Sequence, residues 1–369
     1  MRVFELVVEQ TVKPKVGRAW QHAEDLIIVD GAQGALRALD ELEAMADDVS
    51  DVSIKWDGSP AIYFGRDDEG NFVLTDKSGF TAKGYNGKTQ SPKQLAAMLL
   101  NRAAEVDQSR KQFALQMAGL FRQIEKIVSP DFRGFVLADV LFFEQPDINP
   151  QGEYEFTPNT VTYHIPQHSD LGQRIKHCRA GIVMHQHNGE PVGDQLEGIN
   201  SRGNVLVVGR VTADTVAAVD HRAIESARKF INTHRTSIDR LLDDRRLAAA
   251  KVSDFKAILY RFVNSQVTTR DFSDLDDRFE QWLAGSRVSA SKQAKILAFR
   301  EENPRAFVAI FQALEMIMQV KDQIIADLDR GSSIKQSVSG EPGGEGYVKG
   351  NIKLVPRMKF TAANVEKRQ

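Results

Sequence analysis

The 369-residue chain has a single cysteine, Cys178, so it closes no internal disulfide and builds no multi-cysteine zinc site. It has no run approaching the roughly 20 apolar residues that span a bilayer. Its opening stretch, MRVFELVVEQ, carries acids where a secretion signal has an apolar centre. No period of tens of residues recurs, which excludes solenoids and propellers. An excess of one charge is missing too, because 48 Lys and Arg face 50 Asp and Glu. That balance excludes a wholesale basic coat for nucleic acid but leaves room for a local basic groove. These absences predict a soluble cytoplasmic chain without a membrane partner. At roughly 100–200 residues per domain, its length predicts two domains, or one domain with a large insertion.

What is present divides into four stretches. Up to about residue 51, Leu36, Leu39, Leu42 and Met45 recur at helical spacing and predict an amphipathic helix. Residues 52–208 read mostly as strands: 52–55, 61–64, 72–75, 134–143, 160–165, 181–185 and 204–208. The turn-rich 66–70 joins two of them as a hairpin. A helical pair at 93–103 and 108–127 interrupts, with Phe113, Met117, Leu120, Phe121 and Ile124 on one face. Residues 212–330 are helical throughout, with a stripe of Phe307, Phe311, Leu314, Ile317, Ile324 and Leu328 after the helix start Asn303-Pro304. The Gly/Ser/Pro-rich 331–344 reads as a flexible linker, and strand character returns at 345–355. The expected fold class is α+β, with a framework of mixed antiparallel sheets formed by 1–211 and 331–369 and an all-helical insertion at 212–330.

The most informative segment is Ile54-Lys55-Trp56-Asp57-Gly58-Ser59-Pro60-Ala61. A lysine closes an apolar strand, and Gly58 and Pro60 force a tight turn before the next one. An amine at such a sheet mouth is placed to lose its proton and act as a nucleophile. A surface lysine at a hairpin end is the plain alternative. Further along stand Thr75-Asp76-Lys77-Ser78-Gly79, the strand Phe135-Val136-Leu137-Ala138-Asp139-Val140-Leu141-Phe142, and Thr160-Val161-Thr162-Tyr163-His164-Ile165. The chain then reaches Glu345-Gly346-Tyr347-Val348 and Lys353-Leu354-Val355-Pro356-Arg357-Met358-Lys359.

In this order, the set resembles the motifs of the covalent nucleotidyltransferase superfamily, which holds ATP-dependent DNA and RNA ligases and capping enzymes. The resemblance covers 52–163 and 345–359 and implies an ATP-grasp-like, ligase-type adenylation domain. It implies that Lys55 attacks the α-phosphate of ATP and carries a lysyl-AMP, with Ile54, Asp57 and Gly58 beside the nucleotide. Lys77 would contact phosphate, Asp139 would lie near ribose and metal, and Tyr163 would stack on the base. Glu345, with Asp139, would hold Mg²⁺ or Mn²⁺. Lys353 and Lys359 would engage the phosphates, although Arg357 and Lys359 have the usual spacing of two, so the choice within this segment stays open.

The implied activity is an ATP-dependent polynucleotide ligase, and the absence of an oligonucleotide-binding barrel after the last motif argues against mRNA capping. It would act as a monomer on nucleic acid with 5′-phosphate and 3′-hydroxyl ends, RNA or RNA/DNA favoured. The motif set resembles ligase-like proteins of tailed bacteriophages, which would place it in the host cytoplasm. A nucleotide-binding or structural phage protein that has lost sealing, or another nucleotidyltransferase, remains the alternative. Ser59-Pro60, where many ligases carry Arg or Asn, favours the silent protein.

Two basic stretches would attract phosphate. Residues 76–93 hold Lys77, Lys83, Lys88 and Lys93 against Asp76, and 331–369 is likewise rich in Lys and Arg. The segment His22-Ala23-Glu24-Asp25-Leu26 either starts a helix or lines the nucleotide pocket. His185 and His187 would share a strand face and could hold a metal.

Overall fold

The computed structural model describes residues 21–366 apart from 82–86, 194, 201–202, 270 and 351. In chain order the first elements are β1 (Gln21–His22), α1 (Leu26–Glu43), β2 (Val52–Ile54), β3 (Ala61–Arg66), β4 (Phe72–Asp76) and α2 (Lys77–Thr81). They are followed by α3 (Pro92–Asn101), α4 (Gln108–Ile127), β5 (Gly134–Phe142), β6 (Asp147–Ile148), β7 (Glu153–Phe156) and β8 (Val161–Pro166). Next come α5 (Asp170–Ile175), β9 (Ala180–His187), β10 (Glu190–Pro191), β11 (Val205–Val208), α6 (His221–Leu241), α7 (Asp244–Ala249) and α8 (Phe255–Ser265). The chain closes with α9 (Leu275–Gly285), α10 (Ala290–Glu301), α11 (Pro304–Gly331), β12 (Lys335–Val338), β13 (Glu341–Pro342), β14 (Tyr347–Lys349), β15 (Ile352–Leu354) and α12 (Ala362–Glu366). The class is α+β with mixed sheets. Among the described residues, no helix is long and apolar enough to cross a membrane.

These elements divide into two units. The first comprises Trp56–Val211 and Ser333–Pro342. Its larger sheet runs β10-β9-β5-β3-β4, with β11 parallel to β9. Alternate residues of β3 and β5, among them Ile62, Phe64, Val136, Ala138 and Val140, turn to one face and pack on Leu95 and Leu99 of α3 and Met117, Phe121 and Ile124 of α4. Both helices start where sequence chemistry puts them: Ser91 and Asp107 accept backbone N–H groups as N-caps, and Pro92 takes the first helical turn of α3.

The second sheet of this unit runs β13-β12-β8-β7-β6. Residues 335–342, expected to be linker, instead form the β12–β13 hairpin. Ser339 and Gly340 supply its positive-φ turn, and Gln336 and Val338 alternate into the interior. The period of two is real but only four residues long, and the surrounding glycines and serines mask it.

The second unit comprises 21–55, Thr212–Ser332 and 343–366. Its sheet runs β1-β15-β14-β2, with β1 and β15 parallel and the other pairs antiparallel. The long helix α11 packs against α6 and α1 through its stripe, with Phe307, Leu314, Ile317, Ile324 and Leu328 all buried. The expected grouping of 1–211 with 331–369 therefore differs from the observed one: 21–55 and 343–366 group with the helical block. The reason lies in strand pairing. β14 pairs with β2, β15 with β1, and Tyr347 donates its hydroxyl to Asp329 of α11 at 2.9 Å.

Candidate functional site

The four-stranded sheet of the second unit has two unlike faces. Side chains of directly paired residues share a face, and so do residues two apart in a strand. Val52, Ile54, Tyr347, Ile352 and Leu354 fall on the buried face. On the other face the register lines up His22 with Lys353, Lys353 with Val348, and Val348 with Ser53. Lys55 lies two residues beyond Ser53, and its N–H continues the ladder to the Gly346 carbonyl at 2.9 Å. One sheet face thus carries an imidazole and two amines.

Glu345 completes this face. Its carboxylate accepts from the Lys55 ammonium, and both side chains are largely shielded, 13% and 22% exposed. The residues are 290 positions apart in sequence. Gly346 makes the approach possible: its φ is +111°, and a Cβ there would overlap the Leu354 carbonyl oxygen. Lys359, in the turn after β15, sits over another constrained glycine, where a Cβ on Gly343 would lie 3.1 Å from the Lys359 Nζ.

Behind this face lies a cluster of buried charge. Lys321 of α11 has no exposed surface and donates to Glu24 at 2.8 Å. Arg357 is 1% exposed, donates to Asp25, and brings its Nε within 3.2 Å of Glu24. Arg357 therefore serves the buried carboxylates, and Lys353 is the cation that shares the face of Lys55.

Electrostatic consequences follow from this packing. Burial, then the charges of Lys55 and Arg357, hold the Lys353 amine below the ordinary lysine range. Burial, then the surrounding cations Arg357, Lys353, Lys321 and Lys55, hold His22 well below 6.5, so its imidazole is neutral at neutral pH. Burial pushes Asp25 up to about 6 against the pull of Arg357. For Glu24, burial opposes ionisation, but Lys321 and Arg357 outweigh it and keep the group a carboxylate.

Lys321 was missed from sequence, although a signal was there. It falls within the apolar stripe of α11, four after Ile317 and three before Ile324. A lysine in that position needs a buried carboxylate. The alternatives for His22-Ala23-Glu24-Asp25 resolve as a short strand and a 3-10 turn whose acids face inward.

The remaining expected site residues belong to the first unit. Gly58 is a close-approach glycine, since a Cβ would come within 2.5 Å of the Asp139 Cβ. Asp57 is 6% exposed, and its carboxylate accepts from Asn159 Nδ2 at 2.8 Å and from the Thr160 and Val161 N–H groups at 2.6 and 3.0 Å. It is a staple for the turn before β8, which replaces the nucleotide contact expected of it. Tyr163 also departs from expectation. It has no exposed surface, its ring lies between Trp56 and Phe156 at 4.6 and 5.4 Å, and its hydroxyl accepts from the Asp57 N–H. A ring enclosed in this way offers no face to a base.

Asp139 accepts from His185 Nε2 at 2.9 Å. The β5–β9 register slips between Leu137 and Ala138, leaving His185 as the extra residue of a bulge that turns it toward Asp139. His187 instead bonds the Arg133 carbonyl, so the two histidines do not act as a metal pair. Lys77 opens α2 exposed to solvent. Lys88 lies 5.3 Å from the rings of both Phe80 and Phe135, a cation–π position rather than an open phosphate contact. Lys83, Lys367 and Arg368 lie outside the described residues.

Among the described residues, no three His, Cys, Asp or Glu side chains converge as a metal-binding group. A hard divalent ion such as Mg²⁺ is commonly held by one or two carboxylates together with substrate phosphates. The Glu345 carboxylate, paired with Lys55, fits that mode and no all-protein cage. No curated protein and no solved structure matches the chain. Residues 20–369 match the family of unknown function DUF6267, and the chain belongs to that family.

Proposed function

We propose that this chain is an ATP-dependent polynucleotide ligase with a ligase-type adenylation fold, forming a lysyl-AMP on Lys55 and sealing 5′-phosphate to 3′-hydroxyl ends, with RNA or RNA/DNA substrates favoured. The observation that carries the reading is the Lys55–Glu345 ion pair, which joins the two most specific motifs across 290 residues. Lys353 on the same sheet face adds the second amine that the resemblance calls for.

The chemistry is in-line displacement at phosphorus. Lys55 gives up a proton, for which the Glu345 carboxylate is the hydrogen-bonded acceptor, and its lone pair forms the P–N bond as the bond to pyrophosphate breaks. The AMP then passes to a 5′-phosphate oxygen, and a 3′-hydroxyl displaces it. Lys353 and Lys359 offset the charge that grows on the phosphates. A bound Mg²⁺ or Mn²⁺, held by Glu345, would neutralise further phosphate charge. Roles for Lys77 and Asp139 rest on the resemblance alone.

A second reading, a nucleotide-binding protein that no longer seals, is favoured by the engagement of Asp57 and Tyr163 in internal bonds. Incubation with α-labelled ATP and Mg²⁺ separates the two. The ligase reading expects a covalent adduct that survives denaturation, disappears in Lys55→Ala, and falls at least about a hundredfold in rate in Glu345→Ala. Reversible ATP binding with no adduct under Mg²⁺ or Mn²⁺ would establish the second reading instead. Nicked and single-stranded RNA, DNA and hybrid ends then test sealing.

A further inference from the structure

The least explained group on the polar sheet face is His22. It is 8% exposed, and its Nδ1 has no hydrogen-bond partner among the described residues. Glu24 Oε1 stands 3.9 Å from that nitrogen, beyond hydrogen-bond reach. Other buried polar atoms nearby also lack a hydrogen-bond partner among the described residues: Arg357 Nη1, Glu24 Oε2 and Asp25 Oδ1. Buried polar groups are nearly always hydrogen-bonded, so several unanswered groups in one place mark a site whose partner arrives from outside. On the sheet face itself the neighbours of His22 are the amines of Lys353 and Lys55, and the partner that suits an imidazole set beside two amines is an oxyanion.

We infer that His22 is a further ligand of the phosphate chain that reaches Lys55, and that it binds that chain with uptake of a proton. This rests on the reading of the sheet face as a nucleotide-phosphate site. The charged groups facing His22 come from every neighbouring element: Glu24 and Asp25 beside it, Lys353 and Arg357 from β15 and the turn after it, Lys321 from α11, and Lys55 from the end of β2. Without a bound anion, burial and then the field of the four cations disfavour a proton on the imidazole. A triphosphate cancels their field and offers an acceptor, so the same ring gains a proton and donates to a phosphate oxygen. By linkage, phosphate binding tightens as pH falls through the range in which His22 changes state.

The probe is an ATP analogue with a methylene bridge between the α- and β-phosphorus atoms, which binds without transferring AMP. Calorimetric titration at pH 6.5, in buffers of different ionisation heat, reads the protons taken up. Wild type is expected to take up several tenths of a proton per analogue bound, and His22→Gln less than half as much. The variant should also bind about tenfold more weakly at pH 6 but only about twofold more weakly at pH 8. The imidazole proton resonances of the wild-type protein give a check that needs no variant: one histidine, neutral in the free protein at pH 6.5, should become protonated on binding. Tight binding with no uptake, or equal uptake by wild type and His22→Gln, overturns the inference while leaving the site in place. Failure of wild type to bind the analogue at any pH overturns the site reading and the inference with it.

Discussion

Lys321 and Glu24 sit fully buried as an ion pair, so removing one partner leaves a charge stranded in a poorly solvating interior. Lys321→Met is expected to cost about 3 kcal/mol by urea unfolding, and Glu24→Gln/Lys321→Met to recover only part of that loss, because Glu24 also pairs with the buried Arg357. The neighbouring titrations give stability a pH dependence of known sign. Burial raises Asp25 from 3.8 to about 6, so between those values the folded chain keeps a proton that the unfolded chain has released. Its contribution is full below 3.8 and is lost as pH rises toward 6. His22 runs the other way: its folded value lies well below 6.5, so its contribution is present above 6.5 and is lost as pH falls below it. Urea unfolding at a series of pH values should show Asp25→Asn removing the first dependence and His22→Gln the second. Lys55 and Glu345 were legible in sequence because each stands in a motif with a glycine at fixed distance. Gly346 has a backbone conformation and a close approach that only glycine meets. Tyr163 and Asp57 misled because a motif gives residue type and order but not whether bonds within the fold already use the side chain.

Helix α1 is broken near its start, where Asp30 and Gly31 leave helical geometry and Gly31 adopts φ +62°. The break is held from α6: Asp239 accepts from the Ala32 N–H at 2.8 Å, and a Cβ on Gly31 would lie 2.5 Å from the same carboxylate oxygen. Gly31→Ala therefore combines backbone strain with displacement of the tie between two helices. It should cost roughly 2 kcal/mol in thermal unfolding, more than an Ala substitution at the open Gly119 in α4. Elements of this size were read well where periodicity ran long. The expected helix at 108–127 coincides with α4, and the apolar stripe of 307–328 lies on α11. Short strands were harder. The two-residue β1, with the sequence Gln-His, carries no pattern of its own and exists because β15 offers it a parallel edge. The kink in α1 was equally hidden, since a glycine inside a helical pattern does not announce its φ.

Across the whole molecule, the chain passes between its two units at 55/56, 211/212, 332/333 and 342/343, so neither unit is a continuous segment. The helical block was visible as composition, but its claim on 21–55 and 343–366 depends on strand pairings between residues about 300 positions apart, which no local window contains. The residues after 332 consequently belong to both units. In the first, β12 lies between β13 and β8, and its removal would uncover the β8 edge and the side chains at Val161 and Tyr163. In the second, β14 and β15 are the two central strands, and without them β1 and β2 have no common sheet. Ending the chain at residue 332 should therefore disturb both units, not merely remove a tail. Amide hydrogen exchange is expected to show lost protection in β7 and β8 and in β2, α1 and α11, together with loss of near-ultraviolet dichroism. A truncated chain that kept native protection in the first unit's sheets would show that β12 and β13 are dispensable there, and one that kept it in β2 and α11 would overturn the role assigned to β14 and β15.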